Sequence, residues 1–390
     1  MKQLSILFLL LVSISCKETT SELLYPENST PKGDWRLRGS EEMLIRNDTT
    51  FNNFSEAKSN LTPPYSLTFE ENTVQWDSKT YPFHWENDEL VINIDGNPIH
   101  FTLKMEEDKK LTLEATKSSI LPILNGKDAS LKLNYISLDE AKKQFLPEGL
   151  YRPVTIKYIN PKANNFTVHR FTYNEEGALI RQDEYSSDGA NEHLLISRRY
   201  TFDFSKISKN KIYYRVDGYL DEAPVLYGKS GTLDLKFRHL GNTVITGNNK
   251  YGPTYESYTY DQAGRLETFT TTQYPMGTSK SSYTKYIYKY DDDNRIMSRE
   301  EESFDAYNNA STNAAVPYYY TDLVSTTYIP YIYNTGIGPK NRYLSKGEHN
   351  SKGELVTPLE YELDDKNRII SKKVLNANHQ MVRTEIYEYE

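Results

Sequence analysis

The chain has 390 residues, a net charge of −8, 37% hydrophobic residues and a mean hydropathy of −0.71. That balance excludes a bundle of membrane-spanning helices and argues against a nucleic-acid partner, which calls for a basic patch or domain. A single cysteine excludes internal disulfides, and 33 tyrosines favour pleated, half-exposed β surfaces.

Met1-Lys2-Gln3 supplies one positive charge, Leu4 to Val12 is almost wholly apolar, and Ser13-Ile14-Ser15 closes the run with small residues. Residues 1–15 therefore have the anatomy of a secretory signal, too short to span a bilayer. Cys16 follows directly. Its placement resembles the lipobox of bacterial lipoproteins, with Ser13 standing where Leu is usual. The resemblance implies lipidation at Cys16, a membrane partner reached through that lipid, and an outer-membrane location. Plain signal cleavage ahead of Cys16 is the alternative. Residues 16–32 carry Pro26, Asn28, Ser29 and Pro31 without an apolar period and read as a flexible tether.

Residues 33–137 read as antiparallel β. Apolar positions alternate at Leu90, Ile92 and Ile94, at Ile99, Phe101, Leu103 and Met105, and at Leu111, Leu113 and Ala115. Asp95-Gly96-Asn97 and Glu107-Asp108-Lys109 are turn sequences between these runs. Further runs at Ser66–Phe69, Thr73–Trp76 and Ser130–Ile136 complete a small barrel or sandwich with no helix expected inside it. Gly33-Asp34-Trp35 at the start, with Leu67, Leu90 and Leu111 at hairpin spacing, resembles the lipocalin-like domains of Bacteroidota lipoproteins. In that family the Trp closes one end of the barrel, and the resemblance implies an apolar-ligand carrier as one reading. A barrel of this size is commonly filled by its own side chains.

Ser137-Leu138-Asp139-Glu140 is a capping-box sequence, so residues 138–147 are expected to be a short linker helix ending near Pro147. Residues 148–390 then repeat one pattern. Tyr173-Asn174 with Gly177 and Leu179 is followed by Tyr260-Asp261 with Gly264, Arg265 and Leu266. Tyr290-Asp291 with Asn294, Arg295 and Ile296 comes next, and then Leu363-Asp364 with Asn367, Arg368 and Ile369; Asn350 and Gly353 carry part of it. Each copy is a hairpin: aromatic incoming strand, a turn begun by an Asp or Asn side chain, a Gly or Asn at positive φ, then the outgoing strand. The pattern resembles the YD repeats of the Rhs-type family. Irregular spacing between copies predicts a long meander with insertions rather than a closed shell, the largest insertion running from Tyr318 through Tyr333.

The expected fold class is therefore all-β, a small lipocalin-like antiparallel barrel followed by a Tyr-rich hairpin-repeat meander. Gly228-Lys229-Ser230-Gly231 reads as a hairpin turn rather than a phosphate loop. Seven histidines are scattered, one per segment, and no second cysteine is present, so no metal or cofactor site is expected and no catalytic set emerges. Strand alternation places Tyr286, Tyr288 and Tyr290 on one face, and with Tyr258 and Tyr260 they are the candidate ligand-binding residues, able to stack on sugar rings. The reading is a lipid-anchored, exported envelope protein acting as a non-catalytic binding or scaffolding module, with a polysaccharide or an envelope protein as partner. A carboxylate-dependent hydrolase acting on polysaccharide is the alternative from a different class.

Overall fold

A computed structural model describes residues 30–54, 56–58, 61–107, 109–163, 165–187, 194–204, 211–220, 223–234, 238–241, 243–246, 254–274, 281–305, 310–328 and 343–390. Cys16, the signal, nearly all of the tether and Tyr333 lie outside the described residues.

The first nine strands are β1 (Gly33–Arg46), β2 (Thr49–Phe51), β3 (Ser66–Phe69), β4 (Thr73–Trp76), β5 (Lys79–Glu86), β6 (Glu89–Ile94), β7 (Asn97–Glu106), β8 (Lys110–Ala115) and β9 (Asp128–Ser137). Each of β3 to β8 pairs with the next, and β1 pairs with both β3 and β9, so eight strands close into an antiparallel barrel. The long β1 manages both contacts by bulging between Leu37 and Gly39, while β2 pairs only with its far end. Alternation explains the core. Leu90, Ile92, Ile99, Phe101, Leu111 and Leu113 all point inward and are fully buried, beside Trp35. Contrary to expectation, a helix interrupts the barrel: α1 (Lys117–Leu124) buries Ile120 and Leu124 against the same core. Pro122 within it hides the helical signal. The linker helix is α2 (Leu138–Phe145), whose N-cap Ser137 side chain accepts the backbone N–H of Glu140 at 3.4 Å.

The remaining strands follow α2 in the chain. They are β10 (Pro153–Asn160), β11 (Asn165–Tyr173), β12 (Leu179–Ser187), β13 (Leu194–Asp203), β14 (Ile212–Leu220), β15 (Ala223–Leu233), β16 (Thr243–Thr246), β17 (Thr254–Tyr260) and β18 (Leu266–Gln273). Then come β19 (Ser282–Tyr290), β20 (Ile296–Phe304), β21 (Ala310–Pro317), β22 (Tyr320–Val324), β23 (Tyr343–Ser345), β24 (Gly347–His349), β25 (Leu355–Leu363), β26 (Ile369–Leu375) and β27 (Met381–Tyr389). Sixteen of them make one sheet in hairpin order, with β27 returning to pair with β10.

The all-β expectation holds, but the open meander needs correction. Tyr318 N–H donates to Met297 O (2.9 Å), Lys346 N–H to Tyr319 O (2.9 Å) and Leu359 N–H to Lys346 O (3.0 Å). With the β22–β23 pair, these bonds carry the ladder from β20 across to β25, so the two ends of the sheet meet in a ring. The strand after β20 closes it because, once past Pro317, it runs on to a new partner.

A second correction concerns Gly228 to Gly231, which lie within β15 and not in a turn. A Cβ at Gly231 would stand 2.8 Å from Tyr214 Cε1 and 2.8 Å from Thr243 Oγ1, so glycine here makes room for a neighbouring ring.

Directly paired residues share a face, which separates the inside of the ring from its outside. Ile156, Phe171, Phe202, Ile212, Leu233, Ile369 and Tyr387 pack a core on the inner face, at the end where the turns at Asn174, Asp234, Asp261, Asp291 and Asp364 lie. Phe145 of α2 and Tyr65 join that core, so the first barrel caps this end. The cap is tied by charge: Arg36 and Arg38 both pair with Glu176, itself 1% exposed, and the Tyr65 hydroxyl donates to the same carboxylate.

Candidate functional site

The repeated turn is an ordered piece of chemistry. Asp261 Oδ1 accepts the backbone N–H of Arg265 (2.9 Å) and its Oδ2 accepts Arg265 Nε (2.6 Å). Asp291 with Arg295 (2.8 and 2.6 Å) and Asp364 with Arg368 (2.9 and 2.6 Å) repeat this geometry. Gly264, Asn294 and Asn367 hold φ of +80°, +63° and +59° at the turn, which explains the Gly or Asn in the pattern. Two copies escape sequence reading. Asp234 binds Arg238 in the same way (2.9 and 2.6 Å), and Asn376 accepts the backbone N–H of Gln380 (3.0 Å). An Asp or Asn four residues ahead of a long polar side chain is the signal that would have found both.

The guanidinium so fixed lies over the tyrosine of the next hairpin. Arg265 sits 4.6 Å from the Tyr290 ring and Arg368 4.6 Å from Tyr389. The tyrosine hydroxyl then donates to the carbonyl of the residue after the arginine: Tyr290 to Leu266 (2.8 Å), Tyr320 to Ile296 (3.2 Å) and Tyr389 to Ile369 (2.9 Å). At the ring's entry Arg152 and Pro153 play these parts for Tyr173. Tyr260 varies the theme, accepting the backbone N–H of His239 at 2.8 Å with Arg238 over its ring at 5.6 Å. Two of the five candidate tyrosines, Tyr260 and Tyr290, are thus parts of these stitches between hairpins.

Tyr258 and Tyr286 stand in an aromatic row on the inner face. Tyr258 lies between His239 (centroids 3.9 Å apart, planes at 5°) and Phe269 (5.0 Å, 28°). Phe269 stacks in turn on Tyr286 (6.0 Å, 10°), whose ring also faces Arg299 at 5.1 Å. Ring faces that stack on one another are taken up by that contact. Tyr288 is half-buried on the same face, and burial pushes its hydroxyl up to about 12. The alternation expected for Tyr286, Tyr288 and Tyr290 is present, directed into the ring.

Two buried carboxylates on the inner face are paired with cations. Glu256 meets Lys229 at 2.6 Å and the Tyr258 hydroxyl at 2.5 Å. Glu385 is held by Lys372 (3.2 Å), Arg383 (2.6 Å) and the Tyr387 hydroxyl (2.8 Å). Burial pulls the Glu385 carboxyl up, but Lys372 and its other partners outweigh that and hold it below the usual range.

Toward the ring's other end the inner face turns to small polar side chains. A cleft of about 410 Å³ opens there across four strands, β18 to β21, lined by Thr271, Gln273, Ser282, Thr284, Ser303 and Ser311. Tyr283, Phe304 and Asp305 complete the lining.

No known protein family and no curated protein matches the sequence. Among solved structures the chain is similar to a porin-like protein from Bacteroides vulgatus, at 11% identity and a TM-score of 0.38 over 62% of this chain and 99% of that one. A porin-like protein from Bacteroides uniformis is similar at 13% identity and 0.36, over 61% and 98%. A protein of unknown function from Bacteroides fragilis is similar at 12% and 0.19, over 39% and 91%.

The outer face of the ring is charged. Arg170, Arg215, Lys285, Lys289, Glu300, Glu302, Glu360, Glu362, Lys373 and Glu388 all project from it, on strands all round the ring. An Arg or Lys facing lipid at the bilayer midplane costs about 2–4 kcal/mol. A face with this many charges belongs in water.

Proposed function

We propose that the chain is an exported protein of the bacterial envelope, anchored by a lipid on Cys16, that serves as a non-catalytic binding module for a polysaccharide. The observation that carries this reading is the contrast between the faces of the ring. Its charged exterior suits water rather than lipid, so attachment falls to the N-terminal cysteine. Its interior is apolar at the capped end and lined with hydroxyl groups at the other, which suits a polar ligand. The resemblances of the Cys16 segment to a lipobox, of the first barrel to lipocalin-like lipoprotein domains and of the hairpins to YD repeats agree with a tethered β protein. The first barrel is filled by its own side chains, with Leu67, Leu90, Phe101 and Leu113 fully buried, which disfavours the apolar-carrier alternative. Two of the most buried carboxylates of the ring, Glu256 and Glu385, are paired with cations, which disfavours a hydrolase built on them.

Metabolic labelling with an alkyne fatty acid, followed by membrane fractionation, tests the anchor. The wild-type chain is expected to carry the label and sediment with membranes, and Cys16→Ala to lose both. Unlabelled wild-type protein, or a Cys16→Ala chain that sediments unchanged, overturns the anchor.

A further inference from the structure

We infer that Arg299, on the inner face of the ring beside Tyr286, Tyr288 and Tyr318, binds the carboxylate of an acidic sugar. This rests on the polysaccharide reading above and names the class of polymer. Strand register fixes the arrangement: Arg299 lies directly opposite Tyr288 on β19 and Val316 on β21. Its guanidinium carbon stands 5.1 Å from the centre of the Tyr286 ring. The charge also reaches the Tyr288 and Tyr318 hydroxyls, where it opposes the upward pull of burial.

What sets Arg299 apart is the lack of an acceptor. On the same face Arg198 meets Glu184, Lys229 meets Glu256, and Lys372 and Arg383 meet Glu385. Arg299 pairs with no carboxylate among the described residues, and its Nε is buried without a hydrogen-bond partner. Glu301, opposite Tyr286, accepts the Asn313 amide at 3.1 Å, and Glu348, whose charge acts on Tyr318, accepts the Thr357 hydroxyl at 3.2 Å. A charged donor left in this way costs free energy that an arriving anion relieves. Contact with the Tyr286 ring supplies no oxygen acceptor, so the guanidinium edge stays available to grip a carboxylate through two parallel bonds. Arg299 as a whole is half-buried and can be approached from inside the ring. Thr284, Ser303 and Ser311 continue the same face toward the open end and give the rest of the sugar polar neighbours.

Isothermal titration calorimetry of the full lipidated chain in detergent tests the site. The probes are galacturonate and mannuronate oligomers, their methyl esters, neutral cello- and manno-oligosaccharides, inorganic sulfate and inorganic phosphate. The wild type is expected to bind at least one uronate oligomer about tenfold or more tightly than its methyl ester, which keeps the sugars and removes the charge. Arg299→Gln is expected to lose that preference, and Arg299→Lys to keep part of it, since lysine retains the charge without the fork. Lys285→Gln, on the outer face, is expected to change nothing, and circular dichroism melting verifies that every variant is folded. A folded Arg299→Gln chain that keeps the preference, or a wild type that binds esters or neutral sugars as well as uronates, overturns the site and leaves the polysaccharide reading standing. Binding of sulfate or phosphate with none of the sugars, or binding of no probe, overturns both.

Discussion

The hydroxyl of Tyr290 donates to the backbone carbonyl of Leu266 across 2.8 Å, joining the end of one hairpin to the start of the outgoing strand of the hairpin before it. Arg265 lies over the same ring, anchored by Asp261. The tyrosine and the aspartate of the sequence pattern therefore serve two different hairpins. Tyr290→Phe deletes the bond while keeping the ring under the guanidinium. It is expected to cost about 1 kcal/mol, read as a lower urea midpoint with an unchanged m-value. Tyr283→Phe, at the exposed rim, is the control expected to show no change.

Acid should act on the turns. Partial burial pulls the Asp261 and Asp291 carboxyls up, but the backbone N–H and guanidinium of Arg265 and Arg295 outweigh it and hold both below the usual range. A depressed folded pKa gives stability that is complete above the ordinary carboxylate value of about 3.9 and is lost as pH falls through the folded value. Wild-type stability is expected to drop as pH falls below about 4. Asp261→Asn/Asp291→Asn should follow a flatter acid limb, since Asn retains an Oδ1 acceptor for the turn but does not titrate there. Equal slopes in urea titrations over this range would contradict it.

Glu176 is the hinge pin between the barrel and the ring. Glu176→Ala leaves the buried Arg36 and Arg38 guanidinium groups without that carboxylate, and breaking a buried pair costs about 3–5 kcal/mol. All three tryptophans, Trp35, Trp76 and Trp85, lie in the first barrel, so their fluorescence reports it alone, while tyrosine absorbance chiefly reports the ring. The two signals are expected to unfold together in the wild type and at separate urea concentrations in Glu176→Ala.

Gly231→Ala should destabilise the ring by about 1–3 kcal/mol, because the added methyl meets Tyr214 and Thr243 at 2.8 Å. Adding Tyr214→Phe should recover little of this loss, since the ring carbon that clashes remains. Thermal melting of the single and double variants decides it.

Much of this architecture was legible in the sequence. Period-two alternation gave β6, β7 and β8 almost residue for residue, and the capping box gave α2. The hairpin turns were legible because an Asp side chain, a positive-φ residue and an arginine must occur at fixed spacing. What escaped depends on partners distant in the chain. β5 is one example: Tyr81, Phe83 and Trp85 alternate along it, but Pro82 in its middle argues against a strand until β4 and β6 are seen to flank it. The stitches need the length of each intervening hairpin before Tyr290 can be matched to Leu266. The candidate tyrosines were placed on the right strands and the same face, but alternation does not say whether that face is inside a ring. Closure itself depends on pairing near Tyr320 and Ser345, which no local pattern records.

The pairing of β27 with β10 orders events in time. Pro153 lies opposite Tyr389, so the first strand of the ring cannot complete its ladder until the last strand has been delivered. During synthesis from N- to C-terminus, the first barrel can close as soon as β9 arrives, whereas β10 presents an unsatisfied edge until the ring is complete. Pairing across such a separation is slow, and an open edge invites strands from other chains. A chain arrested before residue 381 would therefore carry a finished barrel and a permanently adhesive second half, making the last nine-residue strand the step that protects the protein from aggregation.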